Sequence, residues 1–196
     1  REKEGHGFDT KALVKVMTQV KPKVIISCDC GISDVDAVNF LNSFKIDVII
    51  TDHHEAPEEL PKAYGIINPK APNALDEKLS TKQITSLTSL AGVGVAFKVA
   101  QALLEKYEKL DYISEILPYV AVGTVADLVP LVGENRYLVT KGLELISNGK
   151  HYGLTRLLDS AGYKGQITSE HIAFGIAPRI NASGRLDTVE EAVSYT

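Results

Sequence analysis

Three short runs of β-branched and apolar residues punctuate the first third of the chain. The runs at 23–27 (KVIIS) and 46–51 (IDVIIT) are too short for helices and predict buried strands, and the run at 64–68 (YGIIN) predicts a third strand. Between the first two runs, apolar residues recur at helical spacing over 35–44. Strand, helix and strand joined by short connections predict a parallel βαβ unit.

Most of the remaining chain has helical spacing, interrupted by one polar stretch. Ser33, with Asp36 three residues later, has the form of a capping box at the start of the first inter-strand helix. Residues 71–89 lose apolar periodicity and predict a surface loop or insertion. Further helices are predicted over 9–20, 90–107, 112–126, 135–148, 154–161 and 188–195. We therefore predict an α/β fold, a doubly wound parallel sheet followed by a helical region.

Composition narrows the class of protein. The 196 residues are 44% hydrophobic and 23% charged, which suits one main domain better than two full ones. No apolar run approaches the roughly 18 residues of a membrane span, and no secretory leader is recognisable. Cys28 and Cys30 are too close in sequence for a mutual disulfide, so a cytoplasmic protein is expected. The net charge of −4 argues against nucleic-acid binding by bulk electrostatics, so such contacts must be local.

Acidic residues and histidines follow the first two predicted strands. Asp29 comes after the first strand, and Asp52, His53 and His54 come after the second. The carboxyl ends of parallel strands meet at one edge of the sheet, where ligands bind. Taken singly, Asp29 also suits a turn, Asp52 a cap and the histidine pair a polar surface. Their coincidence at one edge favours a metal site.

Asp127 is the third element of this prediction. It is the only ionisable residue in 120–131 (VAVGTVADLVPL), and an isolated carboxylate is costly to bury unless it is paired or binds a metal. A structural aspartate that accepts a backbone hydrogen bond is the alternative. Three carboxylates with one or two imidazoles suit Mn²⁺ or Mg²⁺, and a two-ion hydrolase is the natural use. The Cys-x-Cys spacing is unlike that of structural zinc sites.

Five segments, in order along the chain, resemble motifs of a known family. SCDCGI around Asp29, TDHH at 51–54 and GTVADLVPL at 123–131 are similar to the second, third and fourth motifs of the DHH phosphoesterases. LAGVGVAFKVAQAL (90–103) and APRINASGRL (177–186) resemble stretches typical of the RecJ-like members. The resemblance implies a 5′-to-3′ exonuclease specific for single-stranded DNA, with two Mn²⁺ or Mg²⁺ ions in the intact enzyme. It also implies a role in DNA repair and recombination, with a helicase or single-strand-binding protein as partner.

The resemblance implies a role for each candidate residue. Asp29 would bridge the two ions, and His53 and Asp127 would ligate one of them. His54 would face the substrate phosphate. Asp52 would lie behind the ligands and orient a histidine.

Three arginines are candidate phosphate contacts, because guanidinium groups fit phosphate bidentately. Arg179 and Arg185 lie in the segment at 177–186, which we expect to be a turn after a helix. For these two, salt bridges or caps of neighbouring helices are an equal alternative. Arg1 is a candidate on the same logic.

The chain departs from the family pattern at both ends. The first motif, of Asp-x-Asp-Gly type, has no counterpart before Asp29, and nothing matches the C-terminal substrate-binding domain. We expect an N-terminally truncated DHH catalytic domain over 1–175 and the start of a connector to a missing second domain over 176–196. Alternatives are a DHH phosphodiesterase for short oligonucleotides or cyclic dinucleotides, a pyrophosphatase, or a non-catalytic nucleic-acid-binding scaffold.

Overall fold

The computed structural model describes residues 7–149 and 151–186. Backbone contacts divide the chain into two compact units, the first ending at Ala96 and the second beginning at Phe97. This division is not the domain boundary predicted at residue 175, which stays a prediction.

The first unit is built on a three-stranded parallel sheet in the order β1-β2-β3. Its elements are α1 (Thr10–Gln19), β1 (Val24–Cys28), α2 (Val35–Ser43), β2 (Asp47–Thr51), β3 (Gly65–Ile67), α3 (Thr81–Thr88) and the start of α4 (Gly92–Lys106). Val24 pairs with Asp47, and Ile49 pairs with Gly65. The predicted βαβ unit, the third strand and the α/β class are confirmed.

The core of this unit lies against one face of the sheet. Val48 and Ile50 point to the same side of β2, because side chains two residues apart in a strand share a face. Both are fully buried, in a cluster with Leu13 of α1 and with Val38 and Leu41 of α2. This packing fixes the strands, so the three loops that leave their carboxyl ends start from one edge, which we call the carboxyl edge.

The second unit is helical. It contains the rest of α4, a 3₁₀ turn (Leu110–Tyr112), α5 (Ile113–Ala126), α6 (Gly133–Ser147), α7 (Tyr152–Ser160), a π-helical segment (His171–Ile176) and α8 (Ala177–Leu186). Gly142 lets α6 pack closely on α5, since a Cβ there would meet the carbonyl oxygen of Leu117 at 2.7 Å. The predicted helical region is confirmed.

The predicted capping box at Ser33 and Asp36 is wrong. Helix α2 begins after Asp34, whose side chain makes no cap hydrogen bond. Its carboxylate instead accepts from the N–H of Phe8 at 3.0 Å. A contact 26 residues away in sequence thus takes the side chain that occupies the cap position.

Two further local predictions are wrong. The stretch at 71–89 is not all loop, because α3 forms within it behind a capping box in which Ser80 and Gln83 bond each other's backbone N–H. The segment at 177–186 is not a turn but the helix α8, which Ala177 opens and Pro178 continues in the first turn, where proline is tolerated. The predicted helix at 188–195 lies outside the described residues.

No single helix within 7–149 and 151–186 is long and apolar enough to cross a membrane, although α3 and α4, as a bent pair, pass that test by length and composition only.

Candidate metal centre

Asp29 is the first residue beyond β1 and has a left-handed backbone, with φ of 63°. Among residues with a side chain, aspartate and asparagine tolerate this region best. Its N–H still donates to the carbonyl of Thr51 at 2.9 Å, which holds it at the carboxyl edge. The Asp29 side chain is 55% exposed.

The carboxylate of Asp29 lies against Gly92, the first residue of α4. A Cβ at residue 92 would collide with the Asp29 side chain. Glycine is therefore required for the start of α4 to approach the carboxyl edge this closely. Gly92 belongs to a segment that resembles the family, but no local pattern in the sequence predicts this contact.

Asp52 is the first residue of the loop after β2 and is buried, with 1% of its surface exposed. Its Oδ2 accepts from the N–H of Ile32 at 3.0 Å, and its Oδ1 accepts from the N–H groups of His53 at 2.8 Å and His54 at 3.2 Å. Oδ1 also lies 2.7 Å from Nδ1 of His54. Burial alone would raise the pKa of Asp52, but these hydrogen bonds outweigh it and hold that pKa below its ordinary value.

His53 directs one ring nitrogen at a backbone carbonyl and the other at Asp29. Nδ1 lies 3.1 Å from the carbonyl oxygen of Leu90, which can only accept, so Nδ1 carries the proton. In the neutral ring, Nε2 then presents a lone pair to Oδ1 of Asp29, 3.1 Å away. Two acceptors at this distance are stabilised by a cation between them or by a second proton on the ring. Metal-binding histidines commonly donate their other N–H to a carbonyl in this way, so the donor set fits a divalent ion.

His54 completes the cluster at the carboxyl edge. Asp52 engages its Nδ1, its side chain is 58% exposed, and its ring packs edge-on against His53 with centroids 4.6 Å apart. Ligand atoms of Asp29, His53 and His54 all lie within 4.8 Å of one another. The structure thus brings together the residues predicted at the ends of β1 and β2.

The electrostatic potential around this cluster is negative. Burial raises the pKa of the Cys30 thiol, and nearby carboxylates raise it further, in decreasing order those of Asp52, Asp34 and Asp29. A thiol resists ionisation there because a second negative charge is unfavourable. The same potential favours a bound cation.

Asp127 belongs to the second unit, where it forms the C-cap of α5. The expectation that its apolar neighbours bury it is wrong, since Asp127 is exposed while Val125 is buried. Helix α5 ends within the apolar run, and the backbone leaves the helical conformation at Leu128, which has φ of 58°. Its predicted role as a metal ligand stays a prediction.

Of the three candidate arginines, the structure describes the side chain of Arg179. Nη1 of Arg179 donates to the carbonyl of Gly175 at 2.8 Å, one turn earlier. This bond favours the alternative of a helix-end contact without occupying all five guanidinium donors. The backbone of Arg185 lies in α8, but its side chain and all of Arg1 fall outside the described residues.

Asn68, which the sequence analysis missed, follows β3 as Asp29 follows β1 and Asp52 follows β2. It is 2% exposed, and its amide bonds the carbonyl of His54 and the N–H of Lys70. Its position at the end of the third predicted strand, 64–68, is the sequence signal that points to it.

Carboxylates and imidazoles at the carboxyl edge of a parallel sheet give an α/β domain with a candidate divalent-metal site. Residues 3–124 match the family model described as the DHH family, N-terminal domain, which is more than half of the chain. The chain belongs to the DHH family, as the motifs predicted.

Curated relatives resemble the chain over nearly its whole length. The single-stranded-DNA-specific exonuclease RecJ of Bacillus subtilis is 39% identical over 194 residues, and that of Escherichia coli is 35% identical over 206. These matches cover 98% and 99% of this chain. They cover only 23% and 34% of the relatives, so the chain spans a quarter to a third of their length.

Solved structures agree in fold. A crystal structure of exonuclease RecJ bound to manganese has a TM-score of 0.80 at 34% identity, over 98% of this chain and 46% of that one. RecJ from Thermus thermophilus in complex with Mn²⁺ has a TM-score of 0.73 at 33% identity, over 93% and 26%. Another structure of that protein is in complex with Mg²⁺.

Proposed function

We propose that this chain forms the catalytic domain, over 1–175, of a Mn²⁺- or Mg²⁺-dependent exonuclease specific for single-stranded DNA. The observation that carries the proposal is the pair formed by His53 Nε2 and Asp29 Oδ1, 3.1 Å apart, with the other nitrogen of His53 on the carbonyl of Leu90. This is a preformed donor set for a divalent ion. The relatives named as exonucleases of this kind support the substrate.

Asp29, His53 and Asp127 would hold the metal in this proposal, with Asp29 shared between two ions. A bound divalent ion would supply an activated water and neutralise charge on the phosphoryl oxygens. Asp52 holds the ring of His54 by its Nδ1, which leaves Nε2 as the ring nitrogen available to face a substrate phosphate.

Contacts further along the strand are proposed for Arg179, Arg185 and Arg1, by bidentate pairing with backbone phosphates. The 5′ polarity of digestion is part of the same proposal. We also propose that the protein works in the cytoplasm in DNA repair and recombination, alongside a helicase or single-strand-binding protein that provides the single strand.

Substrate length tests the proposal in the full-length protein. A single-strand exonuclease binds several nucleotides by charge and base stacking, so kcat/KM should be far higher for a strand of ~20 nucleotides than for a dinucleotide. Pyrophosphate and blunt duplex should be poor substrates, because a narrow site does not admit paired strands. Equal or better kcat/KM for the dinucleotide or pyrophosphate would move the assignment to a small-substrate phosphodiesterase or pyrophosphatase.

A further inference from the structure

We propose that Asn68 is a positioning residue, which holds the backbone of His54 in place for the candidate metal centre. Asn68 lies at the carboxyl end of β3, away from the cluster's ligand atoms in sequence but joined to them by hydrogen bonds. As an account of the metal centre, this inference rests on the proposed function.

The geometry uses both polar atoms of the side chain. Nδ2 of Asn68 donates to the carbonyl of His54 at 2.9 Å, and Oδ1 accepts from the N–H of Lys70 at 2.8 Å. Only 2% of the residue is exposed, so water does not readily replace these bonds. Among side chains of this size, only an amide offers a donor and an acceptor together in this way.

These bonds continue the pairing of the sheet into its loops. The N–H of Asp52, the first residue after β2, donates to the carbonyl of Ile67, the last residue of β3, at 3.1 Å. One residue after Ile67, the side chain of Asn68 bonds the carbonyl of His54, which lies two residues after Asp52. The loop after β2 is thereby tied to the loop after β3 at the point where the histidines leave the sheet.

Asp52 and Asn68 hold different ends of His54. Asp52 engages the ring nitrogen, whereas Asn68 engages the main-chain carbonyl. A ring held only at Nδ1 can still shift with its backbone, and His53 would shift with it. With both ends held, the 3.1 Å separation of His53 Nε2 and Asp29 Oδ1 is set before any ion binds.

The substitution Asn68→Asp tests one bond of the pair. Aspartate keeps the acceptor for Lys70 and places an oxygen, instead of the donor, against the carbonyl of His54. Asn42→Asp is the control for the change of amide to carboxylate, because Nδ2 of the exposed Asn42 also donates to a backbone carbonyl, that of Lys62, at 2.8 Å. Asn42 lies in the last turn of α2, just before β2, and Lys62 lies just before β3, so this bond is near the amino ends of those strands.

Hydrogen exchange followed by mass spectrometry on the full-length protein is the first measurement. In Asn68→Asp, the amides of His53 and His54 should exchange at least about tenfold faster, because the loop opens locally. Amides of β1 and β2 should keep their wild-type rates, and Asn42→Asp should leave the histidine amides unchanged. Wild-type exchange at both histidines in Asn68→Asp would overturn the proposal, as would acceleration spread evenly over the strands.

Metal affinity and turnover are the second measurement. Asn68→Asp should weaken Mn²⁺ binding in calorimetry, or lower kcat on single-stranded DNA, by about 10–100-fold, as loss of an orienting partner does. KM for the strand should stay close to the wild-type value. Wild-type Mn²⁺ affinity and kcat in Asn68→Asp would overturn the inference. A wild-type protein without activity on single strands would overturn the proposed function, while hydrogen exchange still decides the role of Asn68.

Discussion

Asp52 in the first unit and Asp127 in the second are both candidate functional acids, but the fold holds them in opposite ways. Asp52 is buried and accepts hydrogen bonds from three backbone amides and a histidine ring. Asp127 is exposed at the end of α5. A carboxylate surrounded by donors orients its neighbours, whereas an exposed one is accessible to ions and substrate. Stability and activity should therefore separate at these two positions.

The segments around these two acids are supported in a similar manner. In the first unit, Asn68 holds the carbonyl of His54. In the second, the fully buried Asn135 of α6 donates to the carbonyl of Pro130 at 3.0 Å, in the loop after Asp127. Both units therefore use a buried amide to fix the backbone of a loop, and they differ in how the acid itself is held.

The largest expected effect is on turnover at Asp127. In the full-length protein, Asp127→Asn should lower kcat on single-stranded DNA by at least about a hundredfold. This loss exceeds the one expected for a residue that only hydrogen-bonds to a metal ligand. The free energy of unfolding of the apo protein should change by less than about 0.5 kcal/mol, because the side chain is exposed. Asp111→Asn, at the other end of the α5 region and also exposed, is the control. A loss of several kcal/mol in denaturant would make Asp127 a structural residue.

The next effect is on stability at Asp52. Asp52→Ala removes the acceptor of four donors, so the apo protein should lose about 3 kcal/mol of unfolding free energy in urea. Asp127→Ala should lose less than about 1 kcal/mol under the same conditions. Equal losses at the two positions would show that the contrast in burial has no energetic consequence.

A smaller effect is expected where α4 meets Asp29. Gly92→Ala should weaken Mn²⁺ binding about tenfold, because the added methyl group displaces the Asp29 carboxylate. Gly94→Ala in the same helix is the control: the nearest atom to its Cβ would be the end of the Leu90 side chain, at 3.1 Å, and not the Asp29 carboxylate. Calorimetric titration of both variants measures the difference. Equal Mn²⁺ affinity in Gly92→Ala and wild type would separate Gly92 from the metal site.

The smallest effect concerns pH. The pKa of Asp52 is lowered in the folded state, so its contribution to stability is complete above the unfolded value of about 3.9 and is lost as the pH falls through the folded value. Without divalent ions, wild-type unfolding free energy should fall more steeply below about pH 4 than that of Asp52→Asn, which does not titrate there. Parallel curves for the two proteins would show that Asp52 is not held as an anion.

The local pattern of the sequence determined much of this fold. Runs of β-branched residues predicted all three strands, and the order strand, helix, strand predicted that Asp29 and the TDHH segment share one edge. These predictions succeed because strand periodicity and parallel topology depend on neighbours in sequence. The capping box at Ser33 failed because α2 begins one residue later, with Asp34 and not Ser33 at the cap position.

Only the tertiary structure decided how the site is arranged. The proton position on His53 depends on the carbonyl of Leu90, 37 residues away, and Asp52 is held by Ile32, 20 residues away. Gly92 reaches Asp29 through the start of α4. Such contacts join residues that no local pattern relates, because chain folding sets their distances and propensity does not. The sequence thus named the chemistry of the carboxyl edge, and the packing of strands and loops determined which atoms face one another.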